Sequence, residues 1–208
     1  MSAYPYSDGW RDEIAARCAA FPRQVEPVSA LKLAAVAITL VPSDDGREAA
    51  FLLTRRAATL RGHAGQWALP GGRCDEGETL ETAALRELSE ELGVTLPPSA
   101  VLGVLDDYPT RSGYAIAPVI VWGGAALELT PNPDEVAHVY RIPIREIARE
   151  GAAEFIAIPE SERPVIRLHF GERHIHAPTA ALIYQFTEVL AGRVTRVDGL
   201  EQPVFAWR

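Results

Sequence analysis

Residues 72–94 read GRCDEGETLETAALRELSEELGV, a glycine-rich turn that runs directly into a helical segment. The helical part carries three carboxylates, Glu87, Glu90 and Glu91, at spacings of three and four residues. Side chains at these spacings share one face of a helix, where like charges repel one another. A cation relieves that repulsion, and carboxylate oxygens are ligands that Mg²⁺ and Mn²⁺ prefer. The stretch therefore predicts a helix that presents a divalent-metal site.

The same stretch resembles the Nudix box, in which a glycine, five residues, a glutamate and seven residues precede Arg-Glu-apolar-any-Glu-Glu-any-Gly-apolar. Every specified position is matched without a gap: Gly72, Glu78, Arg86, Glu87, Leu88, Glu90, Glu91, Gly93 and Val94. The alternative is an ordinary amphipathic helix with a solvated acidic face, which requires all these positions to coincide by chance. The resemblance implies an α/β fold: the Nudix-type α/β/α sandwich with a mixed sheet, an N-terminal helix and a C-terminal extension.

A second motif precedes the box, where residues 52–72 read LLTRRAATLRGHAGQWALPGG. This segment resembles the signature of the coenzyme A diphosphatase branch of the Nudix family. Seven of its positions fall in register: Arg56, Ala57, Arg61, Gly65, Pro70, Gly71 and Gly72. Residues 106–114 and 131–136 also resemble that branch. Two departures are Leu69, which replaces a phenylalanine, and residues 176–180, which read HAPTA where the branch has Trp-Gly-any-Thr-Ala.

The composition is typical of a globular protein without disulfides or a nucleic-acid surface. The chain has 208 residues, 48% hydrophobic and 23% charged, and a formal net charge of −8. A negative net charge argues against a broad surface for nucleic acid. The spacing of the two cysteines, Cys18 and Cys74, indicates neither zinc nor a disulfide, which is typical of a reducing cytoplasm. Neither a membrane span nor a signal pattern is evident, so we expect a cytoplasmic location and no membrane partner.

Hydrophobic periodicity predicts one domain over residues 1–208, in which 1–30 form a helical extension, 31–150 the core, and 151–208 a hairpin, helix and strand that complete it. The predicted helices span 9–21, 78–92, 143–150 and 178–190. Asp8 is the predicted cap of the first helix, and Gly93 the predicted end of the second. The predicted strands span 33–41, 49–55, 67–69, 101–105, 115–122, 136–142, 165–170 and 173–176, with a last strand ending at 205–208. Histidines at 169, 174 and 176 are predicted to face solvent on their hairpin, with zinc as the alternative.

The resemblance implies metal-dependent hydrolysis of a nucleoside diphosphate linked to another group. It implies Mg²⁺ or Mn²⁺ held by Glu87, Glu90, Glu91 and the backbone carbonyl of Gly72. Arg86, four residues before Glu90, can hold that carboxylate in place. Glu78, at the expected start of the helix, is given a structural role or a role in supporting the metal ligands without binding the metal itself.

The general base and the substrate contacts are less closely defined by the sequence. Glu90 is the first candidate for the base, and Glu135 is the second. Arginine suits phosphate because its planar fork donates two hydrogen bonds at once. The candidate substrate-binding residues are Arg55, Arg56, Arg61, His63, Gln66 and Tyr114.

Three alternatives remain open at this point. The first is hydrolysis of ADP-ribose, NADH or another nucleotide in place of coenzyme A, because the box does not discriminate among them. The second is a non-catalytic domain that senses a nucleotide, which usually has a degraded box. The third is that residues 150–208 mainly form the interface of a homodimer.

Overall fold

The computed structural model describes residues 4–25, 31–59 and 64–206. The four helices of this part are α1 (Asp8–Ala20), α2 (Leu80–Leu92), α3 (Ile144–Ala148) and α4 (Thr179–Leu190). Its strands are β1 (Lys32–Pro42), β2 (Ala49–Arg56), β3 (Trp67–Ala68), β4 (Gly71–Arg73), β5 (Val101–Val104), β6 (Tyr108–Pro109), β7 (Tyr114–Trp122), β8 (Val136–Pro143), β9 (Ala153–Ile158), β10 (Ser161–Phe170) and β11 (Arg173–His176).

The larger sheet is mixed, and its middle strand, β1, pairs with two different strands along one of its sides. Its main path runs β3-β2-β1-β7-β5, in which β1 and β7 are parallel and the other neighbours antiparallel. The first half of β1 pairs with β4, from Ala34 opposite Arg73 to Val36 opposite Gly71. Its second half pairs with β2, from Leu40 opposite Phe51. The chain therefore leaves β2 and returns through β4 beside the same strand, which places the upstream motif next to the box.

The helices cover both faces of this sheet, and the predicted sandwich is confirmed. Side chains of β2 alternate between the faces, as the pleat of a strand requires. Leu52 packs with Leu88 and Leu92 of α2 on one face. Phe51 lies on the opposite face, in a cluster that also contains side chains of α1, α4 and a second, three-stranded sheet, β11-β10-β9.

The helix α2 is fixed at both ends by local sequence. The Thr79 hydroxyl accepts a hydrogen bond from the Thr82 backbone N–H at 3.2 Å and caps the first turn. Gly93 ends the helix with a φ of 69°, where its N–H donates to Ser89 O at 3.0 Å. The end at Gly93 is confirmed, whereas the start is later than predicted, so Glu78 precedes the helix.

Several smaller predictions are wrong. Ser7, not Asp8, caps α1, because its hydroxyl accepts from the Trp10 N–H. A 3₁₀ turn over Val204–Ala206 replaces the described part of the predicted last strand, and residues 207–208 lie outside the described residues. Three strands were not predicted: β4 is almost all glycine, β6 has two residues, and β9 has no fully buried side chain to give it an apolar face.

No helix in the described residues is both long and apolar enough to cross a membrane.

Candidate metal and substrate site

The pair Gly71-Gly72 lets strand, helix and carboxylate come together without a side chain between them. A Cβ at Gly71 would lie 2.3 Å from the carbonyl oxygen of Ala35, so only glycine fits there. A Cβ at Gly72 would lie 2.4 Å from Oε1 of Glu87. The Glu87 carboxylate therefore rests directly on the backbone of Gly72, the residue whose carbonyl is the fourth candidate metal ligand.

The three carboxylates of α2 differ sharply in exposure. The exposed fraction of the side chain is 5% for Glu91, 14% for Glu87 and 54% for Glu90. Burial, with the charge of Glu87 added, raises the pKa of Glu91 to about 8. Burial also raises the pKa of Glu87, although Arg86 opposes this. Two carboxylates are thus held where negative charge is costly, and a bound cation would lower that cost.

Arg86 connects the turn to the helix. Its Nε and Nη2 donate to the two oxygens of Glu78, both at 3.0 Å, and its Nη2 also donates to Arg73 O at 3.1 Å. Its Nη1 donates to Glu87 Oε1 at 2.8 Å and to Glu90 Oε2 at 3.0 Å. The paired arginine lowers the pKa of Glu78. Glu78 therefore anchors Arg86 through a two-point ion pair, and Arg86 in turn orients two of the candidate ligands.

Replacing Arg86 with lysine is expected to lower kcat by about 10- to 100-fold, the usual cost of losing a residue that orients metal ligands. An ammonium cannot bond Glu78 at two points and still reach Glu87 and Glu90. Steady-state rates over a Mg²⁺ titration would check this, because a positioning defect also raises the Mg²⁺ concentration needed for half-maximal rate. Arg47→Lys, at an exposed ion pair in the turn between β1 and β2, is the control. Unchanged metal dependence in Arg86→Lys would contradict the role.

Two groups from outside the helix approach the carboxylates. Arg56, at the end of β2, places Nη1 3.9 Å from Glu91 Oε1. Its Nε is buried and has no hydrogen-bond partner in the described part of the chain. The charge of Glu135 contributes to the raised pKa of both Glu87 and Glu91, so this loop residue faces the same site. The Ala57 N–H donates to Glu135 O at 2.8 Å and fixes that loop against β2.

A pocket of about 420 Å³ opens beside this group of charges. Four residues expected from sequence line it: Arg56, Gln66, Gly72 and Tyr114. Sequence reasoning missed several other residues that line it: Trp67, Arg73, Thr110, Ser112, Thr179 and Gln202. Trp67 and Thr179 lie in motifs quoted above and could have been chosen there. Gln202 carries no local signal, because only the packing of the C-terminal segment brings it to the pocket.

Arg55 lies apart from this pocket, although it is adjacent to Arg56 in sequence. Neighbours on a strand point to opposite faces. The guanidinium of Arg55 lies over the ring of Trp67, 4.9 Å from its centroid, and lines a neighbouring cavity. Arg61 and His63 fall outside the described residues, so their roles stay predictions.

The available ligands suit a hard divalent cation by their chemistry. All are oxygens: the carboxylates of Glu87, Glu90 and Glu91 and the carbonyl of Gly72. Across residues 4–25, 31–59 and 64–206, no three acidic, histidine or cysteine side chains converge into a complete group of metal ligands. Arg86 holds one oxygen of Glu87 and one of Glu90. The burial of two neighbouring carboxylates, with exposed side-chain fractions of 5% for Glu91 and 14% for Glu87, is the observation that favours a cation here.

Comparison with known proteins gives the same result at the level of family. A NUDIX domain model matches residues 32–161. A relative from Cronobacter sakazakii, named "Uncharacterized Nudix hydrolase NudL", is 44% identical over 55% of this chain and 60% of its own length. A relative with the same name from Pectobacterium atrosepticum is 34% identical over 83% of this chain and 90% of its own. The crystal structure of a MutT/nudix family protein from Enterococcus faecalis has a TM-score of 0.55 and 18% identity, and covers 81% of this chain and 66% of that one.

Proposed function

This chain belongs to the Nudix hydrolase family, whose members act on nucleoside diphosphate derivatives, and from this premise we propose that its substrate is coenzyme A or an acyl derivative. Cleavage of the diphosphate of coenzyme A would give adenosine 3′,5′-bisphosphate and 4′-phosphopantetheine. The observation that carries the proposal is the pocket lined by Arg56, a residue of the coenzyme A-type motif whose Nη1 lies 3.9 Å from Oε1 of the box residue Glu91.

Glu87, Glu90, Glu91 and the Gly72 carbonyl are the proposed ligands of Mg²⁺ or Mn²⁺. When bound, such a cation would neutralise diphosphate charge and lower the pKa of a water molecule. Other residues of the chain fix the positions of these proposed ligands. Arg86 keeps Glu87 and Glu90 in place, and the lack of a side chain at Gly72 lets the Glu87 carboxylate lie against the strand.

Glu90 is the proposed general base, with Glu135 as the alternative. Arg86 holds Oε2 of Glu90, and the side chain is 54% exposed, so a solvent molecule can reach the other oxygen. A base must be within hydrogen-bond reach of the proton that it removes. Glu135 faces Glu87 and Glu91 from the loop before β8, and Asn132 Nδ2 lies 3.4 Å from its Oε1.

Arg56 is the proposed ligand of the substrate diphosphate. Its buried Nε has no partner in the described residues, and leaving a buried donor unsatisfied costs about 1–3 kcal/mol. A phosphate oxygen would satisfy it with a charge-assisted hydrogen bond. Gln66 and Tyr114 line the same pocket and complete the described part of the proposed contact set.

The test is a substrate panel with Mg²⁺ and then Mn²⁺: coenzyme A, acetyl-coenzyme A, ADP-ribose, NADH and diadenosine polyphosphates, with products separated by chromatography. We expect the highest kcat/KM for coenzyme A or its acetyl ester, with adenosine 3′,5′-bisphosphate as product. Glu90→Gln protein from the same preparation controls for contaminating activity. Preferred turnover of ADP-ribose or another nucleotide would keep the hydrolase and discard the coenzyme A assignment. Metal binding without turnover of any compound would favour the nucleotide sensor.

A further inference from the structure

A second, smaller cavity of about 220 Å³ adjoins the candidate substrate pocket. The two share walls, formed by Gln66, Trp67, Pro178, Thr179 and Gln202. The two cavities therefore lie side by side. We call the smaller cavity the side pocket, and the residues found only in it include Arg55, His174, His176 and Phe205.

Arg55 is the fixed positive charge of the side pocket. Its guanidinium stacks on Trp67 at 4.9 Å, while Arg173 approaches the same ring at 5.7 Å without lining the pocket. In the part of the chain that the structure describes, no carboxylate lies within ion-pair distance of Arg55, so none of the described residues neutralises its charge. Stacking on an aromatic ring holds the planar fork while leaving its N–H groups to bind an anion.

The two histidines supply neutral donors rather than charge. Burial lowers the pKa of His176 to about 4 and also lowers the pKa of His174. Arg167 Nε donates to His176 Nε2 at 3.4 Å, which leaves the ring proton on Nδ1. The nearby carboxylate, Glu154, is occupied by His169 at 2.8 Å and by Arg167 at 3.4 Å. The described lining of the side pocket therefore carries a net positive charge at neutral pH.

We propose that the side pocket binds a phosphomonoester on the nucleoside half of the substrate, with Arg55 as its charged ligand and His174 and His176 as hydrogen-bond donors. A phosphomonoester carries a charge of about −1.5 to −2 at pH 7 and three acceptor oxygens, which suits one guanidinium and two neutral N–H donors. A diphosphate alone or a free ribose hydroxyl would leave part of this set, one guanidinium and two N–H donors, without a partner. The inference rests on the proposed function, because coenzyme A carries such a group on its ribose. It makes Arg55 a specificity residue that separates coenzyme A from its 3′-dephospho form.

The experiment compares kcat/KM for coenzyme A and 3′-dephospho-coenzyme A in wild type, Arg55→Met and Arg173→Met. Methionine keeps an apolar stem against Trp67 and removes the charge. Losing a hydrogen-bonded charge pair with a phosphate is expected to reduce the preference for coenzyme A by about 10- to 100-fold in Arg55→Met, mostly through KM. Arg173→Met loses a guanidinium from the same ring but none from the pocket, so its preference is expected to match wild type.

Inhibition by adenosine 3′,5′-bisphosphate and by AMP, measured on whichever substrate the wild type turns over, separates this inference from the proposed function. We expect tighter inhibition by the bisphosphate, lost in Arg55→Met and reduced in His176→Ala. If these inhibition differences are found but coenzyme A is not hydrolysed, the proposed substrate is wrong and the side-pocket inference stands. Turnover of coenzyme A with equal kcat/KM for the dephospho form, or an equal loss on both substrates in Arg55→Met, would overturn the side pocket. Inhibition by inorganic phosphate that Arg55→Met removes, without a difference between the two nucleotides, would show a general anion site and also overturn it.

Discussion

Replacing Glu91 with glutamine is expected to lower kcat by about 10³-fold and, at the same time, to stabilise the metal-free fold. The loss of activity follows because a metal ion contributes several kcal/mol to catalysis, and a buried ligand cannot be replaced by solvent. The gain in stability follows from burial: the Glu91 side chain is only 5% exposed and lies beside Glu87, which repels it. Glutamine keeps the shape of the side chain and removes the charge.

The pH dependence of stability gives the sign of this effect. Folding raises the pKa of Glu91 from its ordinary 4.5 to about 8, so the native state binds more protons than the unfolded state between these values. The protonated form of Glu91, which the native state tolerates, predominates below about pH 4.5. As pH rises toward 8, Glu91 must ionise in its buried position, and the free energy of unfolding falls. In wild type with a chelator, we expect this group to cost roughly 2–4 kcal/mol of the free energy of unfolding across that window.

Urea unfolding at pH 5 and pH 8, with EDTA and then with Mg²⁺, measures both parts of the prediction. In EDTA, we expect the free energy of unfolding of wild type to fall between pH 5 and pH 8, and to fall less in Glu91→Gln. We expect Mg²⁺ to stabilise wild type but not Glu91→Gln. Glu81→Gln, on the exposed side of the same helix, is the matched control and should behave as wild type. Full hydrolytic activity in Glu91→Gln, or an unchanged decrease with pH, would rule out the buried-ligand role.

Glu90→Gln is expected to lower kcat by about 10³-fold, whereas Glu135→Gln should lower it by less than about tenfold, if Glu90 is the general base. Arg86 fixes one oxygen of Glu90 in an exposed position, and a glutamine there can no longer accept a proton. Glu135 acts on the site mainly through its charge, which disfavours the ionised forms of Glu87 and Glu91.

The rate as a function of pH distinguishes the base from a metal ligand. Removing the base should abolish the fall in kcat/KM at acid pH, while removing a ligand should instead raise the Mg²⁺ requirement. Measurements at saturating Mg²⁺ keep the two effects apart, and Asp134→Asn, next to Glu135 but exposed, controls for a change of charge in that loop. A loss that is larger in Glu135→Gln than in Glu90→Gln would transfer the role of base to Glu135.

The sequence by itself determined the family, the mixed sheet between helices and the contact from Arg86 to Glu90. These features depend on local rules: a fixed motif, helical spacing, and a glycine that ends a helix at positive φ. The same rules failed where the local signal was weak. The strand at Gly71–Arg73 is almost all glycine, and the C-terminal turn at Val204–Ala206 depends on the rest of the fold.

Only the tertiary structure decided the surroundings of each charged residue, and therefore its role. Strand alternation sends Arg55 and Arg56 to opposite faces, but only packing places Trp67 and the side pocket beside the first and Glu91 beside the second. Packing buries Glu91 while leaving Glu90 exposed, although both belong to one motif. It also brings Gln202 to the substrate pocket from the far end of the chain. Burial and charge coupling arise from residues distant in sequence, so no local pattern encodes them.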